Sequence, residues 1–332
     1  MNRNATSLAY AELQPQDFLE ALEGLGFYCN GRLLALNSYE NRVYQVGIDD
    51  NDAIVAKFYR PNRWSDDAIL EEHAFSAELE EQEIPVVAPM VIRGTTLHKV
   101  GEFRVAVYPR RGGRAPDLDN FELLEQLGRF VARIHLVGAT ARFRHRPGID
   151  IESYAIESME YLLDHDFIPA ELMPAYESVA QNVIDGVEYA FDRAGDVQQL
   201  RIHGDFHPGN VLVAGERLHI VDFDDTRTGP AVQDLWMFLS GDRAEQIPQL
   251  SALLDGYTRF RDFDARELHL VEALRSLRIM HYAAWLARRW DDPAFKQAFP
   301  WFDSHRYWEE HVLALREQLS LMQEPPLEWR PS

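Results

Sequence analysis

No part of the sequence restricts the fold more tightly than Arg201 to Asp225, RIHGDFHPGNVLVAGERLHIVDFDD. Within it, His203-Gly204-Asp205 is followed by Asn210, five positions beyond the aspartate. An apolar run, Val211-Leu212-Val213, passes a turn at Gly215 and returns as Leu218-His219-Ile220-Val221 to Asp222. Two short β-rich runs on either side of a glycine turn predict a hairpin. The hairpin carries Asp222 alongside a loop that presents Asp205 and Asn210. A closing acidic cluster, Asp222-Phe223-Asp224-Asp225, completes the strand–loop–strand unit.

The residues before this stretch predict a sheet. A short amphipathic helix over 14–28 reverses near Gly24 and Gly26. Arg32–Leu36 and Arg42–Val46 are strand-like and flank a polar turn, Asn37–Asn41, that is placed to lie over a ligand. A third strand, Ala53–Tyr59, follows the acidic turn Asp49–Asp52. Ser65 is a good N-cap for a helix from about Asp66 to Glu83, with Asp66 and Asp67 favoured in its first turn. Val86–Val91 and Phe103–Tyr108 supply two more strands, and Arg111-Gly112-Gly113-Arg114 resembles a linker.

Beyond the linker the pattern turns helical. Leu123, Leu127, Phe130 and Ile134 share one face of a helix over 121–135, and 230–325 is helical almost throughout. Strands first and helices after predict an α+β chain of two unequal lobes. The expected division is a small antiparallel β N-lobe over 1–110 and a larger, mainly helical C-lobe over 111–332.

Charge narrows the partners. The net charge is −21, from 33 basic and 54 acidic residues, which argues against nucleic acid and anionic membranes. It is compatible with a cationic acceptor and equally with a charge that serves solubility. A single cysteine, Cys29, leaves no intramolecular disulfide and no zinc-type cluster. With no apolar run near the ~20 residues that span a bilayer and no secretory signal core at the start, the expected location is cytoplasmic.

Asp205, Asn210 and Asp222 have the spacing of a kinase catalytic loop followed by its metal-binding aspartate. Phosphoryl transfer places a carboxylate beside the acceptor hydroxyl, where it takes the proton or orients the group, and Asp205 is the candidate. Mg²⁺ favours hard oxygen ligands, which Asn210 and Asp222 supply. Asp224 either joins that metal shell or is solvated beside it. Lys57 stands in an apolar strand with a reason to be there if it reaches nucleotide phosphates; Glu71 and Glu72 are both available as its partner, and the helical face of Ile69, Ser76 and Leu79 favours Glu72. The Asn37–Asn41 turn has no glycine, so phosphate there depends on backbone N–H groups and the Ser38 hydroxyl. His203 is a structural histidine, and Asp234 is placed to cap backbone N–H groups of the catalytic loop.

HGDFHPGN, IVDFDD, the VAKFY strand and LGRFVARIH resemble the aminoglycoside phosphotransferase and choline kinase superfamily, which has a bilobal, protein-kinase-like fold. LNSYENRVYQV, VAKFYRPNRWSDDAILEEH and GPAVQDLWMFLSG are similar to the bacterial stress response kinase family of Ser/Thr protein kinases, over Leu36 to Gly241. The resemblance implies ATP and Mg²⁺, with Asp205 as proton acceptor, Asn210 and Asp222 as metal ligands, and Ser38 at the ATP site. It further implies a cytoplasmic monomer that autophosphorylates and serves a stress response.

Only residues 223 to 233 separate Asp222 from Asp234, with no room for a long activation segment and no Ala-Pro-Glu. That economy is typical of small-molecule kinases, so a small alcohol such as choline, homoserine or an aminoglycoside is the rival to a protein acceptor. A nucleotide-binding pseudokinase ranks behind both, because the chemical positions are filled.

Overall fold

The computed structural model describes residues 14–36 and 38–331. Asn37, the first residue of the expected polar turn, lies outside the described residues. The described chain forms two compact units. One takes in the described part of Met1–Pro116 together with Phe143–Arg146 and Pro208–Thr226; the other takes in Asp117–Arg142, Pro147–His207 and the described part of Arg227–Ser332.

The first unit is built on a five-stranded antiparallel sheet. Its strands are β1 (Cys29–Ala35), β2 (Arg42–Ile48), β3 (Ile54–Phe58), β4 (His98–Val100) and β5 (Phe103–Pro109), in the order β1-β2-β3-β5-β4. Because side chains alternate across a strand, β3 sends Ile54, Ala56 and Phe58 to one face and Lys57 to the other. The first face meets Phe18, Ala21 and Leu22 of helix α1 (Pro15–Leu25), with Val105 and Val107 of β5 in the same core. On the second face Tyr59 and Ala106 pack with Ile69 of helix α2 (Asp66–Glu81). Lys57 pairs in register with Ala106, so its side chain emerges on the α2 side.

Ser65 caps α2, its hydroxyl accepting from the Ala68 N–H at 3.1 Å. Two local expectations differ from the structure. Val86–Val91 does not form a strand ladder: Val86 makes an isolated bridge to Ile220, and the edge strand is β4. The backbone of 85–87 is instead taken by the hairpin of β7 (Val211–Ala214) and β8 (Arg217–Ile220), with Ile220 donating to Pro85 O at 2.8 Å and Val87 donating to Ile220 O at 3.0 Å. Arg114 and Val213 exchange backbone bonds of 3.0 and 2.8 Å on the other strand of that hairpin. These bonds are why the 208–226 segment is compact with the sheet.

The second unit is helical, with α3 (Phe121–Gly138), α4 (Glu157–Asp164), α5 (Met173–Ala194), α6 (Gln233–Trp236), α7 (Arg243–Tyr257), α8 (Val271–Ala287), α9 (Pro293–Ala298) and α10 (His305–Gln323). A two-stranded ribbon of β6 (Leu200–Ile202) and β9 (Arg227–Gly229) lies among them. In α3 the fully buried residues include Leu124, Leu127, Val131 and Ile134, while Leu123 and Phe130 are half-buried. The buried face is turned from the expected one because α7 approaches α3 at glycines. A Cβ on Gly128 would run into the Leu253 carbonyl, and one on Gly256 into the Glu125 carbonyl. No helix among the described residues is long and apolar enough to cross a membrane.

Candidate active site

In the first unit, the Lys57 ammonium lies 3.0 Å from Asp222 Oδ1 and 3.0 Å from Asp224 Oδ1. Burial alone would lower the Lys57 pKa, but the two carboxylates outweigh it and hold the amine well above its ordinary value. Lys57 and Asp222 are 165 positions apart. The sheet face and the hairpin bring them together.

The two aspartates differ in setting. The Asp222 side chain is 50% exposed and that of Asp224 is 5% exposed. Asp222 also has a left-handed backbone, φ 62° and ψ 67°, a conformation uncommon outside glycine and concentrated at functional sites. Asp224 is the centre of a buried network. Besides Lys57 it receives the Asn41 Nδ2 donor at 3.0 Å and the Arg63 Nη1 donor. Burial pushes the Asp224 carboxyl up, but Arg63 and Lys57 prevail and hold it below the usual carboxylate range. Its carbonyl accepts from Arg146 Nη2 at 2.8 Å. The reading of Asp224 as a solvated neighbour is therefore corrected: burial among two cations and an amide makes it the charge that fixes Lys57.

Glu72 is buried on the inner face of α2, as its helical position predicts. It makes no ion pair with Lys57 among the described contacts, because that ammonium is drawn to Asp222 and Asp224. Burial raises the Glu72 carboxyl to about 7, and Lys57 and Arg146 pull against that rise. Its Oε2 carries no hydrogen bond among the described residues, with the His73 ring at 3.7 Å. Burial lowers His73 to about 3, so that ring is neutral. Glu71, the alternative on the same helix, turns the other way and accepts the backbone N–H groups of Arg144, His145 and Arg146 at 2.7, 2.8 and 3.1 Å.

Ser38 is half-buried in the turn between β1 and β2. Two residues on, Glu40 meets Arg60 Nε at 3.4 Å, and Asn41 accepts the Arg60 N–H at 3.0 Å while donating to Asp224. The turn is thus tied to the same carboxylate as Lys57. Asn210 ends a short 3₁₀ turn, and its carbonyl accepts the Val221 N–H at 3.0 Å, which extends the β7–β8 register. Hairpin pairing therefore sets Asn210 across from the residue that precedes Asp222.

In the second unit, Asp205 Oδ1 accepts from Arg278 Nη1 of α8 at 2.5 Å, and its Oδ2 lies 3.5 Å from His207 Nε2. The loop that carries Asp205 is held from behind. Asp234 of α6 accepts the His203 N–H at 2.7 Å and the Gly204 N–H at 2.8 Å, and Gln233 Nε2 donates to Gly204 O at 2.9 Å. Behind Asp234, His135 Nε2 stands at 3.1 Å and His135 Nδ1 at 3.0 Å from the Tyr257 hydroxyl. Arg261 Nη1 donates to that hydroxyl at 2.7 Å, so the Tyr257 proton is free to point at His135 Nδ1 and the His135 Nε2–H at Asp234. The expected capping role of Asp234 is what the geometry contains.

The phosphotransferase enzyme family model matches residues 32–271, which include Ser38, Lys57, Glu72, Asp205, Asn210, Asp222, Asp224 and Asp234. The chain belongs to the phosphotransferase enzyme family. This phosphotransferase is 42% identical to stress response kinase A of Escherichia coli strain K12, over 99% of each chain. It is 40% identical to serine/threonine protein kinase RdoA of Salmonella typhimurium, over 100% of this chain and 99% of the relative. Among solved structures, an amicoumacin kinase in complex with AMP-PNP and Ca²⁺ superposes with a TM-score of 0.73 at 19% identity, covering 97% of each chain, which shows a shared fold. The phosphotransferase is a kinase by family, with the antiparallel N-terminal sheet and helical C-terminal part of that fold.

Sequence reasoning missed Asn41, Arg63 and Arg146 in these sites. Arg63 stands two residues before the α2 cap, where a cation beside a forming site is an available signal. Arg146 carries no local signal, since it reaches its partner from more than 70 positions away.

Proposed function

We propose that this phosphotransferase moves the γ-phosphoryl group of ATP to the hydroxyl of a Ser or Thr residue in a protein, itself included, with Mg²⁺ as its metal. The observation that carries the reading is the Lys57–Asp222 pair: a buried strand lysine held at a half-exposed carboxylate whose backbone is strained. Lys57 would turn from carboxylate to phosphate oxygens, both being anionic partners at ammonium reach. Ser38 and the backbone of its turn would face the nucleotide, and Glu72 would keep the field around Lys57 negative from within. The nucleotide-binding role proposed for residues 1–110 would extend to the 208–226 hairpin, which is compact with them.

In the transfer, a bond forms between the acceptor oxygen and the γ-phosphorus while the bond to the β,γ-bridging oxygen breaks, and ADP leaves with that electron pair. Asp205 would accept the hydroxyl proton. Most of the acceleration would come from alignment and charge neutralisation. The donor chemistry of Asn210 and Asp222 suits a hard cation: one amide and one partly open carboxylate, neighbours across a hairpin. Mg²⁺ held there would neutralise charge on the phosphates. The family resemblance supports a cytoplasmic monomer as the working form.

The test uses purified protein with γ-labelled ATP and a protein extract. Labelled Ser or Thr is expected, lost on chelation of divalent metal and restored by Mg²⁺, and absent in Asp205→Ala and Asp222→Ala. Wild-type labelling in either variant sinks the assignment. One observation favours a second reading: β9 and α6 follow Asp222 within a dozen residues, without an activation segment. A small alcohol would then be the acceptor, and saturable turnover of one metabolite with no labelled protein would establish it.

A further inference from the structure

The proposed base does not stand in an acidic setting, although the chain carries a net charge of −21. Arg278 is bonded to Asp205 Oδ1 at 2.5 Å, and it belongs to a wall. Arg275, Arg278 and Tyr282 of α8 are spaced i, i+3 and i+7, which puts them on one helix face. They line a cavity of about 470 Å³, a volume within the range of ligand sites. Tyr307, Glu310 and His311 of α10 form the opposite side.

The cavity lining holds two guanidinium groups and one carboxylate. Burial lowers His311 to about 4, so its ring is neutral near pH 7. Glu310 is engaged by Arg306 Nε at 2.7 Å. Arg275 pairs with Glu272 at 3.1 Å and lies 4.8 Å from the Trp236 ring, yet its Nη2 has no hydrogen bond among the described residues. Arg275, Arg278 and Glu310 each have an ion-pair partner outside the lining, and what is left unfilled among the described residues is the Arg275 Nη2 donor. An anionic acceptor could take that donor and compete for Arg278, whereas a cationic one would find the lining carboxylate already engaged.

We infer that the acceptor is a Ser or Thr flanked by acidic residues, whose carboxylate takes Arg278 away from Asp205 as the hydroxyl docks. This rests on the proposed Ser/Thr protein kinase activity. While Arg278 holds Oδ1, that oxygen is not open to an incoming hydroxyl. A neighbouring Asp or Glu on the peptide offers the guanidinium a second carboxylate of equal chemistry, and the exchange costs no ion pair. Arg278 is thus a specificity-determining residue that couples recognition to release of the base, and Arg275 supplies the second positive group.

Serine peptides identical except for acidic, neutral or basic flanks would be assayed with the full chain and ATP. The acidic set is expected to exceed the neutral in kcat/KM by roughly tenfold, the effect of one partly desolvated ion pair. Arg278→Gln should erase the preference, and Arg278→Glu should turn it towards basic flanks, a reversal that mere loss of structure would not give. Arg288→Gln removes the same charge just past the end of α8 and should retain the preference. A neutral or basic preference in the wild type overturns the inference, as does an acidic preference that survives in Arg278→Gln. Ser/Thr labelling with no dependence on flanking charge defeats this inference alone. Turnover of a small alcohol with no peptide or protein labelled defeats the protein-kinase reading, and this inference with it.

Discussion

Asp224 holds Lys57 from inside the fold, its Oδ1 3.0 Å from the ammonium and its side chain almost fully buried. Asp222 stands at the same distance from the same nitrogen with half of its side chain open. Neighbouring carboxylates thus divide the work, one fixing the lysine and the other remaining accessible to ligands. The division follows from burial, since only the inner carboxylate has Arg63 and Asn41 to compensate its lost hydration.

That division separates the two substitutions. Asp224→Asn leaves Lys57 and Arg63 short of a buried counter-charge and should cost about 3–5 kcal/mol of stability, read as a lowered midpoint in denaturant melts. Asp222→Asn should change stability by under about 1 kcal/mol and abolish phosphate transfer. Equal stability losses in the two variants would contradict the assignment.

Glu72 gives a pH dependence of definite sign. Its folded carboxyl titrates at about 7 against an ordinary 4.5, because burial disfavours the charge. The folded state therefore binds more protons than the unfolded chain between these values, and the Glu72 contribution to stability falls as pH rises from about 4.5 to about 7. Lowered histidines such as His73 act in the opposite direction, so the difference between wild type and Glu72→Gln is the quantity to measure. Wild type should lose on the order of 3 kcal/mol relative to the variant across that window. A difference independent of pH would place Glu72 outside the low-dielectric interior.

Asp234 should be essential at a distance from the transfer itself. Asp234→Ala strands the His203 and Gly204 N–H groups and the His135 imidazole, at a cost of about 3 kcal/mol. The loop carrying Asp205 loses its brace, and kcat should fall about 100-fold with little change in the KM for ATP. A variant that is destabilised yet retains full kcat would mean that the network serves folding only.

The α3–α7 contact is equally exposed to test. Gly128→Ala places a methyl group against the Leu253 carbonyl and should destabilise by about 1–3 kcal/mol in chemical denaturation. Ala at Gly24, which has open space around it, should be tolerated much better.

Much of the candidate site was legible because its parts are local. Asp205, Asn210 and Asp222 are separated by one loop and one hairpin, and strand alternation puts Lys57 on the face opposite Phe58. Ser65 announces α2, and the spacing of Ile69, Glu72, Ser76 and Leu79 turns Glu72 inward. What was not legible depends on contacts between distant segments. The partner of Lys57 was expected to be Glu72, since both lie in the same sheet-and-helix neighbourhood. The competing aspartates arrive on a hairpin more than 160 positions later.

By itself, then, the sequence named the candidate oxygen ligands, the candidate base and the candidate cation, because hydrophobic period and turn chemistry act within a few residues. It also determined the order of strands followed by helices. The tertiary structure alone decided which carboxylate is buried with Lys57 and Arg63, which backbone amides Glu71 and Asp234 satisfy, and that Arg278 stands on Asp205. Burial and charge pairing depend on which distant surfaces exclude water together, and no local pattern records that.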